Sequence, residues 1–283
     1  MSGAAGRRAP AFTTSQRGLD RSLKWHRGER SSVGGVHPPL YALRLGRAYG
    51  PDSSAAALSG ALAAGVDGLE SDVCLTADGA LVLLHDPYLP LGTDLEGFAH
   101  ERTARELRCA RLRDRVGRLT AEAPLFVEDL LAAAPRDVVI QLEVKAHADS
   151  ALAGRTVDAP TERLRPDARA ADRGAVVHGG GGGVRASGGA RLPRAACRVG
   201  RLRPGGAGPL GPPARSRRVC VEHFVLSPPL IDALRRGGLS VTTGTLNEPA
   251  LLDRVLPLRP DAVTSDRPHT LREAAAGLPS LAA

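Results

Sequence analysis

Five side chains stand out by type and spacing: Glu70, Asp72, His85, Glu143 and Lys145. Glu70 and Asp72 lie two apart in GLESDV (68–73), a run apolar enough to form a buried strand. Strand side chains alternate, so the pair points to one side. Glu143 and Lys145 share the same spacing in VVIQLEVK (138–145), and His85 closes LVLLH. Buried carboxylates are costly unless paired or bound to a cation. Three of them from two strands make a hard, all-oxygen donor set suited to one divalent cation, Mg²⁺ or Ca²⁺. Lys145 is a point charge suited to a phosphate oxygen. His85 is of the residue type most used for proton transfer. Each residue alone has a plainer reading: a carboxylate paired with an arginine, a core histidine, a surface Glu–Lys pair. Their convergence at the same end of three buried strands favours a site.

Those side chains need elements to hold them. Ala55 to Ala64 reads as a helix, with Asp52, Ser53 and Ser54 as capping candidates and Gly65 as its stop. GLESDV and LVLLHD (81–86) read as strands separated by Ala77, Asp78 and Gly79, and their near-continuous hydrophobicity suggests cover on both faces. Residues 100–109 and 126–134 read as helices, and VVIQLEVK as another buried strand. Helices are expected again at 230–238, 249–256 and 269–276, and strands at 239–247 and 261–266. Alternation of this kind over this length predicts an α/β fold, a TIM (β/α)8 barrel, with about six of the eight strands placed. In such a barrel the C-terminal strand ends carry the active site.

With 283 residues and 42% hydrophobic content, the chain can build one large core. We expect a flexible basic lead-in at 1–36, a single barrel domain over 37–276 and a tail at 277–283. Cys74, Cys109, Cys197 and Cys220 show no C-x-x-C spacing and are expected as reduced, mostly buried thiols. No apolar run reaches the roughly 18 residues of a membrane span, and the first 24 residues hold no apolar signal core. A cytoplasmic enzyme is the expectation.

The net charge of +8 invites a nucleic-acid reading. Yet residues 155–218 hold 14 arginines against four acids, while the rest of the chain holds 24 basic and 26 acidic residues. The excess belongs to one segment and not to a folded face, so nucleic-acid binding ranks last. In that segment 45 of 64 residues are Arg, Gly, Ala or Pro, with five glycines in a row at Gly179–Gly183. It can bury little apolar surface, and it lacks the GK[ST] ending of a phosphate loop. A natural insertion fits. An out-of-frame reading of GC-rich DNA, slipping near residue 155 and recovering near Val219, fits the composition better. It would leave the barrel interrupted around its fifth strand.

AAGVDGLESDVCLTADGALVLLHDP (63–87) resembles the core motif of the glycerophosphodiester phosphodiesterases. VVIQLEVK resembles that family's E-x-K strand, TTGTLNEP (242–249) its W-T-x-N strand and DAVTSDRP (261–268) its closing T-D-x-P. The resemblance covers about 43–150 and 219–275. It implies a TIM barrel with one divalent metal that hydrolyses glycerophosphodiesters to glycerol 3-phosphate and an alcohol. It implies Glu70, Asp72 and Glu143 as metal ligands, His85 as one of two acid/base histidines and Lys145 as a phosphate contact. Two departures matter. The family's opening His-Arg-Gly is absent from LRLGRAYG (43–50), before the turn Pro51-Asp52-Ser53-Ser54. His26-Arg27-Gly28 lies some 17 residues too early; either His26 is the first histidine followed by an insertion, or Arg44 or Arg47 binds phosphate alone and the enzyme is impaired. Gly244 stands where the family usually has Trp. The small-molecule phosphodiester is the expected partner. The alternatives are a non-catalytic barrel that binds a phosphodiester or metal, and a phospholipase-type phosphodiesterase.

Overall fold

The computed structural model describes residues 37–146, 149–163, 174–178, 196–201 and 218–276. His26 and the lead-in lie outside the described residues. In chain order the elements are β1 (Leu40–Ala42), α1 (Ala55–Ala63), β2 (Gly68–Leu75), β3 (Leu81–Leu83), α2 (Ala104–Arg108) and α3 (Val127–Ala133). They continue with β4 (Val139–Val144), α4 (Ser150–Arg163), β5 (Gly174–His178), β6 (Ala196–Arg201) and β7 (Arg218–Glu222). The last are α5 (Pro228–Arg236), β8 (Ser240–Gly244), α6 (Pro249–Val255), β9 (Ala262–Ser265) and α7 (Pro268–Ala276).

The strands close into a ring. β1 pairs with both β2 and β9, β2 with β4, and β4 with β5, all parallel. β7, β8 and β9 are also parallel in sequence. β6 runs antiparallel to both of its neighbours, β5 and β7. This is the expected barrel with one reversal, and the reversed strand is the fifth around the ring. It falls in the Arg/Gly/Ala/Pro segment, and its sequence ACRVGR holds a single β-branched residue, Val199.

All eight residues of β2 are buried, as a strand covered on both faces requires. β3 departs from expectation: it folds back antiparallel on the end of β2, with Val73 opposite Leu83 and Leu75 opposite Leu81. The connection is Thr76–Ala80, and a parallel crossover needs a dozen residues or more. Thr76 makes this hairpin tight. Its Oγ1 donates to Asp78 Oδ1 at 2.6 Å and accepts the Ala80 N–H at 2.7 Å, while Gly79 takes a φ of 77°. LVLLHD is therefore a hairpin arm, and His85 is carried to the rim by the loop beyond it. The helix expected at 100–109 is also cut short. Thr103 Oγ1 accepts the Glu106 N–H and Glu106 reaches back to the Thr103 N–H, a capping box that starts α2 at Ala104.

α1 starts as its sequence requires, with Ser54 Oγ accepting the Ala57 N–H at 3.1 Å. Its buried face, Ala57, Leu58 and Ala61, packs with Leu69, Ile140, Leu130 and Leu142 in the main core. A second core under residues 80–126 holds Val82, Leu89, Leu107, Leu112 and Phe126, with the Arg108 guanidinium 4.0 Å over the Phe126 ring. Gly68 lets β1 and β2 approach: a Cβ there would run into the buried Tyr41 ring. Gly68→Ala is expected to cost about 1–3 kcal/mol by overpacking, read as a lower urea midpoint. An unchanged midpoint would show that the Tyr41 ring yields freely.

Candidate active site

The parallel register of β2 and β4 puts Asp72 opposite Glu143 and Glu70 opposite Gln141. One oxygen each from Glu70, Asp72 and Glu143 lie within 4.8 Å of one another. Glu70 and Asp72 are buried and Glu143 is half-buried. Glu70 Oε2 accepts the Arg44 backbone N–H at 3.0 Å. Lys145 Nζ donates to Glu143 Oε1 at 2.8 Å and stands 3.0 Å from Asp72 Oδ1. Asp72 Oδ2 has no hydrogen-bond partner among the described residues; Arg44 Nε stands 3.4 Å away. Burial, then the charge of Asp72, pushes Glu70 well above the usual carboxylate range. Burial also raises Asp72, against the pull of Lys145 and His85. Burial opposes the charge on Lys145, yet Asp72 and Glu143 hold its pKa above the ordinary value. A buried, crowded, all-oxygen cluster with an orphaned carboxylate oxygen fits a hard divalent cation.

The turn after β1 brings in the arginines. Arg44 and Leu45 take φ values of 47° and 62°, followed by Gly46 at 94°. Positive φ is unusual for side chains of this size; here it aims the Arg44 amide at Glu70 and its guanidinium at Asp52 and Asp72. Arg44 Nη1 donates to Asp52 Oδ2 at 2.6 Å and Arg47 Nε to Asp52 Oδ1 at 2.7 Å. Asp52 is thus no helix cap; Ser54 fills that role, and Asp52 splays two arginines across the mouth. Arg47 Nε also lies 4.0 Å from Asp266 Oδ1. Asn247 and Asp266, which sequence reasoning passed over, bond reciprocally: Nδ2 to Oδ2 at 2.8 Å, and the Asp266 N–H to Oδ1 at 2.9 Å. Both follow strands at the same rim, a signal the motifs TTGTLNEP and DAVTSDRP carried.

His85 lies beside these groups at the mouth. Its Nδ1 is 3.1 Å from Asp86 Oδ2, and a third of its side chain is exposed. A cleft of about 290 Å³ is lined by Arg44, Arg47, Asp52 and His85 together with Leu112 to Arg115 and Gly117. The structure therefore gathers Glu70, Asp72, Glu143, Lys145 and Arg44, with Arg47 and His85 at the cleft. No histidine occurs between residues 38 and 84.

Residues 37–162 match the Glycerophosphoryl diester phosphodiesterase family. The match takes in β1 to β4 and the carboxylate cluster, less than half of the chain. A glycerophosphodiester phosphodiesterase from Caldanaerobacter subterraneus subsp. tengcongensis is 32% identical over 98 residues, 34% of this chain and 40% of the relative. The uncharacterized protein YqiK of Bacillus subtilis is 31% identical over 108 residues, 38% of this chain and 44% of the relative. The chain thus spans less than half the length of these curated relatives. A crystal structure from Silicibacter pomeroyi, described as a glycerophosphoryl diester phosphodiesterase, shares the fold with a TM-score of 0.66 at 21% identity, covering 86% of this chain and 96% of that one. An Oleispira antarctica phosphodiesterase, solved with its product sn-glycerol-3-phosphate, gives a TM-score of 0.53 at 17% identity, covering 85% and 97%.

The glycerophosphoryl diester phosphodiesterase match stops at 162, inside the compositionally odd segment. At Gly244, where the family usually has Trp, a Cβ would collide with Thr264 Oγ1, so this packing has no room for the aromatic wall. Of the cysteines, Cys74 is buried and its Sγ donates to the Leu84 carbonyl at 3.4 Å, but Cys109 is exposed and Cys220 half-buried. The exposure of Cys109 corrects the expectation of buried thiols: it follows α2, on the solvent side of the second core. The Cys197 side chain lies outside the described residues. Among the described residues no helix is long and apolar enough to cross a membrane.

Proposed function

We propose that this chain hydrolyses glycerophosphodiesters to glycerol 3-phosphate and an alcohol, using one divalent cation, Mg²⁺ or Ca²⁺. The observation that carries the reading is the meeting of Glu70, Asp72 and Glu143 within 4.8 Å under an arginine-lined cleft. Glu70, Asp72 and Glu143 would hold the cation, which when bound polarises phosphoryl oxygens. Lys145, fixed between two carboxylates, offers its remaining N–H to a phosphate oxygen. Arg44 and Arg47, held by Asp52, supply fixed positive charge where the diester enters. His85, with Nδ1 toward Asp86, presents Nε2 for proton transfer. His26 remains the candidate for the second histidine. The product seen in the Oleispira antarctica structure supports glycerol 3-phosphate as the retained half. We place the reaction in cytoplasmic lipid and glycerol metabolism, on a small-molecule substrate.

The turn after β1 carries Arg44 and Arg47 and no histidine, which favours a second reading: a barrel that binds the diester or metal without turnover. Hydrolysis of glycerophosphocholine and bis-p-nitrophenyl phosphate separates the two. The enzyme reading expects turnover with Mg²⁺ or Ca²⁺ that a chelator abolishes; cation binding without turnover selects the second. Release of products from lysolipid but not from glycerophosphocholine would select a phospholipase-type enzyme. The frame-slip reading of 155–218 is supported by the family match ending at 162 and by family-like motifs returning at 242–268. Resequencing codons 150–220 tests it; an intact frame shared by close relatives would sink it.

A further inference from the structure

Exposed aliphatic side chains are ordinary when scattered. Here they are concentrated. Of the five large apolar residues exposed among the described residues, four fall between 88 and 119: Tyr88, Leu91, Val116 and Leu119. Val116 is 73% exposed and Leu91 62%. Both stand on the rim of the catalytic cleft, since Leu91, Arg115 and Gly117 line it.

The rim is built rigidly. Asp114 Oδ1 accepts the N–H groups of Val116 at 3.0 Å and Arg118 at 2.9 Å, closing the hairpin tip. Arg113 pins that tip to the Leu91 segment: its N–H donates to the Gly92 carbonyl at 2.8 Å and its Nε to the Thr93 carbonyl at 3.0 Å, while Nη1 donates to the Gly117 carbonyl at 3.0 Å. Arg113 therefore faces inward and is occupied. Arg118 pairs with Asp114 at 3.0 Å. Arg115, exposed next to Val116, has no ion-pair partner among the described residues. The tip thus holds two projecting aliphatic groups beside an uncompensated cation.

We propose that this rim, Leu91 with the 114–118 tip, docks on an anionic lipid surface and holds the mouth of the cleft there. The catalytic role of that cleft rests on the phosphodiesterase reading; the docking itself does not. Aliphatic tips enter the headgroup–acyl boundary while arginines hold anionic headgroups. A stable protein partner would need about 800 Å² of matching surface on each side, far more than two aliphatic side chains provide.

Sedimentation of the full chain with vesicles tests this without any turnover. Vesicles of phosphatidylcholine with about one third phosphatidylglycerol are compared with pure phosphatidylcholine, since anionic lipid contributes most of the electrostatic attraction. Binding is expected to the mixed vesicles and to weaken with salt. Leu91→Ser with Val116→Ser is expected to lower the partition coefficient about tenfold, from lost apolar insertion. Arg115→Glu alone is expected to lower it about tenfold through two units of charge. Thermal melts of the variants, all at exposed positions, confirm that they fold. Failure of the wild type to bind mixed vesicles overturns the proposal. So does binding that both variants leave intact, which would assign it to the arginines of 155–218. A chain that binds vesicles yet hydrolyses nothing would uphold docking and overturn the activity.

Discussion

Glu70→Gln is expected to lower hydrolysis about 10³-fold, the several kcal/mol that a bound cation contributes at a phosphoryl centre. It is also expected to erase the rise in melting temperature that Mg²⁺ or Ca²⁺ gives the wild type, because ligand binding to the folded state is what raises it. The substitution is clean. Glutamine keeps the shape and an oxygen that can accept the Arg44 N–H, now 3.0 Å from Glu70 Oε2. It removes a buried charge that the site disfavours, since burial and Asp72 already hold Glu70 well above its ordinary pKa. Without added cation the variant should therefore melt no lower than wild type. A variant that melts lower in both conditions would point to a structural role. One that keeps its cation response would remove Glu70 from the ligand set, and the reading of the site with it.

Glu70 and Asp72 were legible because a period of two inside an unbroken apolar run leaves one structural reading. The same holds for Glu143 and Lys145. What spacing alone does not give is register. Asp72 faces Glu143 because β2 and β4 start level, Gly68 against Val139, and a shift by one residue would turn every carboxylate to the other face. The antiparallel turn of LVLLHD was legible in principle from the shortness of TADGA, and the start of α2 from Thr103 and Glu106. The Arg44–Asp52–Arg47 clasp was not. It depends on left-handed backbone at Arg44 and Leu45, which no propensity favours and only the packed surroundings enforce. The reversed β6 was visible only as a break in composition.

The ring also explains why one site can survive that break. The three carboxylates come from β2 and β4, which pair along six consecutive residues. β1, paired with β2, leads into Arg44, and β9, paired with β1, leads into Asp266. None of these groups comes from β5 or β6. The carboxylates proposed to hold the cation are thus fixed by the ladder whose pattern the sequence shows most clearly.

Lys145 and Glu70 touch the same cluster, yet their substitution should act with opposite sign on cation binding. Lys145 Nζ sits 2.8 Å from Glu143 and 3.0 Å from Asp72. A divalent cation that uses those carboxylates must share them with an ammonium a few ångströms away, and like charges about 4 Å apart repel by roughly 4 kcal/mol near a protein surface. Lys145→Met should therefore bind Mg²⁺ or Ca²⁺ more tightly, by tenfold or more on that scale. In cation-free buffer the same variant should be less stable, by about 3 kcal/mol, because it leaves Asp72 and Glu143 buried without their counter-charge. Added cation should restore most of that loss. Turnover should nonetheless fall about 10²-fold, because the phosphate loses its positioned donor. Titration calorimetry and melts with and without cation read the first two effects, and hydrolysis at saturating cation reads the third. Weaker cation binding in Lys145→Met would make Lys145 a structural prop of the site; full activity at saturating cation would remove it from phosphate recognition.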